Sequence, residues 1–147
     1  MIALKIPAFL GVLCLVTSPA FAEDIIYMKC ELDVLKQTKD LKTLQILETT
    51  RERDTTVSMV DLANKRIIGS KSTEWQEVEI VDGVASYQNQ EMDDGVLVSM
   101  NASFQVDPPG RMKIQVTANN GDYQSLINIG GDCREAPASL YEAERSQ

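Results

Sequence analysis

VLVSMNASFQVDPPGRMKIQVTA, residues 96–118, is the stretch on which the fold reading turns. Val96, Val98, Met100, Ala102, Phe104 and Val106 occupy every second position, with Ser99, Asn101, Ser103 and Gln105 between them. After the prolines, Met112, Ile114, Val116 and Ala118 alternate with Arg111, Lys113, Gln115 and Thr117. A period of two over such lengths marks half-buried strands. Cross-strand partners share a face, so the expected register sets Val106 opposite Met112 and Phe104 opposite Ile114. That register makes residues 107–111 a five-residue connection. Both prolines then lie outside the ladder, and Gly110 is free to take a positive φ.

The same reasoning extends along the chain. Asn120-Gly121 is a two-residue hairpin signal; pairing outward from it matches Ala118 with Tyr123, Val116 with Ser125 and Ile114 with Ile127. Asp82-Gly83 pairs Val81 with Val84 and Ile80 with Ala85, and Asp94-Gly95 turns the chain toward Val96. Upstream, Ile26, Met28, Cys30, Leu32 and Val34 form an apolar face of an early strand. Thr56 to Leu62 and Arg66 to Ile68 read as two further strands around a turn at Ala63-Asn64. Between the early strand and Thr56, a strand over residues 43–49 is expected, and the polar run over 49–56 reads as a loop or an exposed hairpin end. The outcome is an all-β fold: an antiparallel meander of about eight strands forming a small barrel or barrel-like sandwich.

Residues 1–22, MIALKIPAFLGVLCLVTSPAFA, have one early charge, an apolar run and an Ala-Phe-Ala ending, the pattern of a cleaved secretory signal. The apolar run is shorter than the roughly 20 residues that span a bilayer, so no membrane insertion is expected after cleavage. The domain then occupies residues 23–133, followed by a polar tail over 134–147 that forms either a short helix after Pro137 or no fixed structure. Loss of the leader removes Cys14 and leaves Cys30 and Cys133. In a periplasmic or secreted chain two cysteines most simply form one disulfide, here joining the first and last strands and closing the barrel.

The chain carries 14 Lys and Arg against 22 Asp and Glu. Without Lys5 of the leader the balance is 13 to 22, a net charge of −9. Such a surface repels phosphate backbones and anionic lipids, which excludes nucleic acid and favours a basic partner. There is no histidine, which removes Ser-His and Cys-His pairs and the usual catalytic zinc sites. Glu77 with Glu79, and Glu91 with Asp93 and Asp94, read as solvated strand and turn charges. Hence no enzyme activity, metal or cofactor is expected.

Three function classes follow. The first is a non-catalytic protein-interaction or inhibitor-type module with an unidentified protein partner. Its candidate partner-binding residues are Trp75, the single tryptophan, and the stiff tip of Pro108, Pro109 and Arg111. Tyr27-Met28-Lys29-Cys30, the all-β pattern and the late Cys133 resemble the small periplasmic lysozyme inhibitors. The Ser-Gly-x-x-Tyr stretch of that family is absent, so no inhibitory residue carries over. The second class is a carrier of a small apolar ligand in a lipocalin-like barrel, with Met28, Met100 and Met112 lining an adaptable interior. An enzyme is the third and weakest.

Overall fold

The computed structural model describes residues 24–147, and the expected leader over residues 1–22 lies outside them. The elements in chain order are β1 (Ile25–Asp40), β2 (Ile46–Asp61), β3 (Arg66–Gly69), β4 (Gln76–Glu77), β5 (Glu79–Val81), β6 (Val84–Asp93), β7 (Val96–Val106), β8 (Pro109–Asn119), β9 (Tyr123–Glu135) and α1 (Ala138–Arg145). The strands form one sheet in the order β4-β3-β2-β1-β9-β8-β7-β6-β5, all neighbours antiparallel. β4 and β5 are consecutive in the chain and separated only by Val78, whose N–H donates to the Lys65 carbonyl at 3.0 Å. The two ends of the sheet therefore meet within one segment. The result is a nearly closed antiparallel barrel of eight staves.

Closure is confined to one end. β3 covers only Ser58 to Asp61 of β2, and β5 covers only Val84 to Ser86 of β6. Beyond those residues β2 and β6 have free edges, and six strands (β2, β1, β9, β8, β7, β6) flare into a single curved layer. At the closed end Met28, Val60, Ala85, Phe104 and Val106 pack into the main core. Cys30 and Cys133 face each other directly in the β1–β9 ladder and form a disulfide. It joins the first strand to the last, as barrel closure requires.

Of the two readings left open for the tail, the structure shows the short helix after Pro137. Tyr141 is its anchor: buried against Val57 and Ile68 on the outer face of β2 and β3, its ring centroid is 5.5 Å from that of Tyr27. The Tyr141 hydroxyl accepts a 2.7 Å hydrogen bond from Arg145, and the Ser70 hydroxyl donates to Glu144 at 2.9 Å. An eight-residue helix is too short to persist alone in water; packing of Tyr141 and Leu140 and the Ser70–Glu144 hydrogen bond hold it.

Face assignments agree throughout with the alternation, but two registers differ by two residues. Across β7 and β8, Phe104 opposes Met112 and Ala102 opposes Ile114, while Val106 opposes Pro109. The connection is thus the two residues Asp107-Pro108, joined by a cis peptide bond, rather than the expected 107–111. Pro109 begins β8, a first-residue position where a missing N–H is tolerated. Gly110 has no positive φ; with Arg111 it forms a bulge opposite Gln105, whose side chain lies 2.7 Å from where a Gly110 Cβ would stand. At the β8–β9 turn Ala118 opposes Ser125, and Val116 opposes Ile127. The Asn120 side chain accepts hydrogen bonds from the N–H groups of Asp122 and Tyr123 at 3.1 and 2.8 Å, which widens the turn beyond Asn-Gly. Asp82-Gly83 and Asp94-Gly95 do form the expected two-residue hairpins, with positive φ at all four residues.

The strand expected over 43–49 begins only at Ile46, and the reading of 49–56 as a loop or hairpin end is corrected. β1 runs on to Asp40, the chain turns over 41–45, and the polar run 49–56 lies inside β2. That run is exposed on both faces, so no apolar alternation marks it. Backbone pairing with β1 keeps it extended.

Candidate functional site

The inner face of the flared half is built row by row from the ladders. Val34, Ile129 and Ile114 stand side by side, above them Ile127, Val116 and Met100, and above those Ala118 and Val98. These side chains continue the core upward, but no described residue covers them and they remain half-buried. At each free edge the same rows end in polar or acidic residues. β2 ends these rows with Glu52, Thr50 and Glu48, and β6 ends them with Tyr87, Asn89 and Glu91; Asp54 stands one row below and Asp93 one row above on the same face. One cation enters the face, Lys36, 3.3 Å from Glu52. Strand alternation sends Arg51 and Arg53 to the other side of β2, where Arg53 lies 3.5 Å from Asp33. The two sides of one strand therefore have opposite charge: acidic within, basic without.

Where β3 and β5 close the barrel, a small cavity of about 210 Å³ continues this face downward. It is lined by Ser58, Ile67, Tyr87, Met100, Phe104 and Ile114 among others. Typical small-molecule pockets hold roughly 300 Å³ or more.

The outer side of the waist has a larger, open groove of about 1340 Å³. One cross-strand row forms its floor: Glu79, Ser86, Ser103, Lys113, Gly130 and Asp33. A second row runs alongside with four amides in succession, Gln88, Asn101, Gln115 and Asn128. Gln115 donates to Asn128 at 3.3 Å.

The residues singled out in the sequence fall in different places. Trp75 is half-buried in the cluster beneath α1, with the Arg66 guanidinium 4.2 Å from its ring centroid. Arg66 in turn donates to the buried Asp61 at 3.0 Å. Hydrogen bonds from the Asn64 side chain and backbone, then from Arg66, hold the Asp61 carboxyl below its ordinary pKa. Pro108 lies in the β7–β8 turn at the closed end and Pro109 opens β8. Arg111 lines the outer groove 3.3 Å from Asp132. The structure does not gather Trp75 with the other three. The inner face was half visible beforehand: its apolar members lie in the alternation, but Glu52 sits in the polar run over 49–56 and Glu91 reads as a solvated strand or turn charge.

Among the described residues no group of three or more His, Cys, Asp and Glu side chains could hold a metal ion, and no helix is long and apolar enough to cross a membrane. Compared with known proteins, the chain matches no family model, and neither a curated protein nor a solved structure is significantly similar to it.

Proposed function

We propose that the protein is an exported, non-catalytic interaction module whose inner face receives a basic amphipathic helix of a protein partner. The observation that supports this most is the apolar floor bounded by carboxylates at both free edges. Six strands at about 4.8 Å spacing give a face roughly 24 Å across, which accommodates one helix of about 10–12 Å diameter. The helix would lay apolar side chains on Ile127, Val116 and Met100 and reach Glu48, Glu52 and Glu91 with its cations, a helix-in-groove mode of recognition. Uncovered apolar surface of this kind marks interaction sites. The leader pattern and the disulfide support export to an oxidising compartment, and the absence of histidine supports a role without catalysis.

The test uses a synthetic Leu/Lys amphipathic helix of about five turns. The triple variant Glu48→Lys/Glu52→Lys/Glu91→Lys should bind it at least tenfold more weakly, about 1.4 kcal/mol. Arg51→Glu/Arg53→Glu, on the opposite face, should not weaken it. Equal binding by the triple variant would sink the reading. The carrier alternative keeps one observation, the cavity of about 210 Å³ continuous with the inner face; its small size makes it the second choice.

A further inference from the structure

We infer that the outer groove is a second binding site, for a short peptide with free ends lying across the strands. Its amine meets Glu79 and its carboxylate meets Lys113 above Gly130.

Gly130 is the starting point. A glycine inside a strand weakens it, and is expected where the backbone must bend, bulge or be approached closely. Gly130 has no positive φ. An added Cβ would meet nothing nearer than the Met112 carbonyl oxygen at 3.9 Å. Its neighbour Gly131 differs, because a Cβ there would collide with the carbonyl of Glu31. Packing therefore accounts for Gly131 and not for Gly130, which leaves a bare patch of groove floor between Lys113 and Asp33.

Charge then orients the ligand. Arg111 is matched by Asp132 and Asp33 by Arg53, but Lys113 and Glu79 form no ion pair among the described residues. They stand in one cross-strand row three strand spacings apart, about 14 Å. An extended peptide of four residues spans about 13 Å, so its two termini match the two charges. Between them the row offers the hydroxyls of Ser86 and Ser103, flanked by the amides of Gln88 and Asn101. Hydroxyls and primary amides both donate and accept, and so can satisfy the N–H and C=O groups of a crossing peptide. An oligosaccharide would need aromatic side chains for its sugar faces, and none stands in the two rows. The side chains named for this site all lie on the outer side of the sheet, opposite the inner-face side chains, so either proposal can fail alone.

The experiment titrates ¹⁵N-labelled, disulfide-intact protein with millimolar tetra-alanine, with its acetyl- and amide-capped forms, and with cellotetraose. Tetra-alanine should shift the side-chain amide resonances of Gln88 and Asn101, and amide capping should weaken it at least tenfold. Lys113→Gln should abolish the difference between free and capped carboxyl ends. Gly130→Leu should block binding without lowering the melting temperature. The inference is overturned if tetra-alanine causes no shift, if capping makes no difference, if cellotetraose alone binds, or if Gly130→Leu binds undiminished or melts lower.

Discussion

At the closed end Val60, Ala85 and Val106 lose all contact with solvent, whereas at the flared end Val98, Val116 and Ile127, on the same face of the sheet, stay half-buried. The alternation is equally good in both regions. What differs is the cover: β3, β4 and β5 fold across one end and α1 packs outside it, while the other end remains one sheet thick. An amphipathic strand specifies that one face must be buried, not by what. The two free edges are blunted by charge. Were two copies to pair antiparallel through β2 about Glu52, Arg51 would face Arg53 and Glu52 would face itself. About Arg53, Glu52 would face Asp54. Like charges directly opposite destabilise such pairs, which discourages edge-to-edge association.

Three measurements separate the regions, beginning with the largest effect. Reducing Cys30–Cys133 should lower the unfolding free energy by about 4–5 kcal/mol, the chain-entropy value for a separation of 103 residues. Urea unfolding with and without reductant checks this. A loss below about 1 kcal/mol would mean that the β1–β9 ladder closes the barrel unaided.

Two hairpin glycines then probe closed and flared ends directly. Gly83 and Gly95 have nearly equal φ, 76° and 80°. A Cβ on Gly83 would strike the Asp107 carbonyl, where the β5–β6 and β7–β8 turns pack together, but a Cβ on Gly95 meets nothing within 4 Å. Gly95→Ala should cost about 1 kcal/mol, the left-handed penalty alone. Gly83→Ala should cost about 3 kcal/mol, because overpacking adds to that penalty. Equal losses in thermal melts would show that the closed-end turns yield as freely as the flared ones.

The smallest effect is acidic. Asp61 has its carboxyl pKa lowered by the Asn64 and Arg66 hydrogen bonds. The depressed folded value means its stabilisation is fully present above the unfolded pKa, about 3.9. It is lost as pH falls through the lower folded value. The stability advantage of the parent over Asp61→Asn should therefore shrink below about pH 4. An advantage that stays constant from neutral pH to pH 2 would exclude the ionised carboxylate as its source.

Several features are legible in the amino-acid sequence alone. Alternation placed Cys30, Phe104, Met112 and Ile114 on the inner side, and the Asp-Gly pairs at 82–83 and 94–95 located two hairpins to the residue. Register was less legible for a definite reason. A slip of one residue inverts every side chain, but a slip of two restores the faces, so matching apolar to apolar could not distinguish Phe104–Met112 from Phe104–Ile114. The bulge at Gly110-Arg111 sets the register across β7 and β8, and the side-chain hydrogen bonds of Asn120 accompany the shifted register across β8 and β9. The run 49–56 misled because it is a strand with no buried face, so only its ladder with β1 reveals it.

By itself the amino-acid sequence determined the all-β class, the face on which each alternating side chain lies, the cysteine pairing and the excess of acid, because period, parity and charge are local properties of the chain. Tertiary structure alone decided that the barrel closes at one end only, that Tyr141 carries the tail onto β2 and β3, and that carboxylates from two distant strands border one apolar floor. It also set Gly130 bare between Lys113 and Asp33. Each of these depends on which strands become neighbours and how far each ladder runs, and that is settled when the whole sheet curls and its ends meet at Val78.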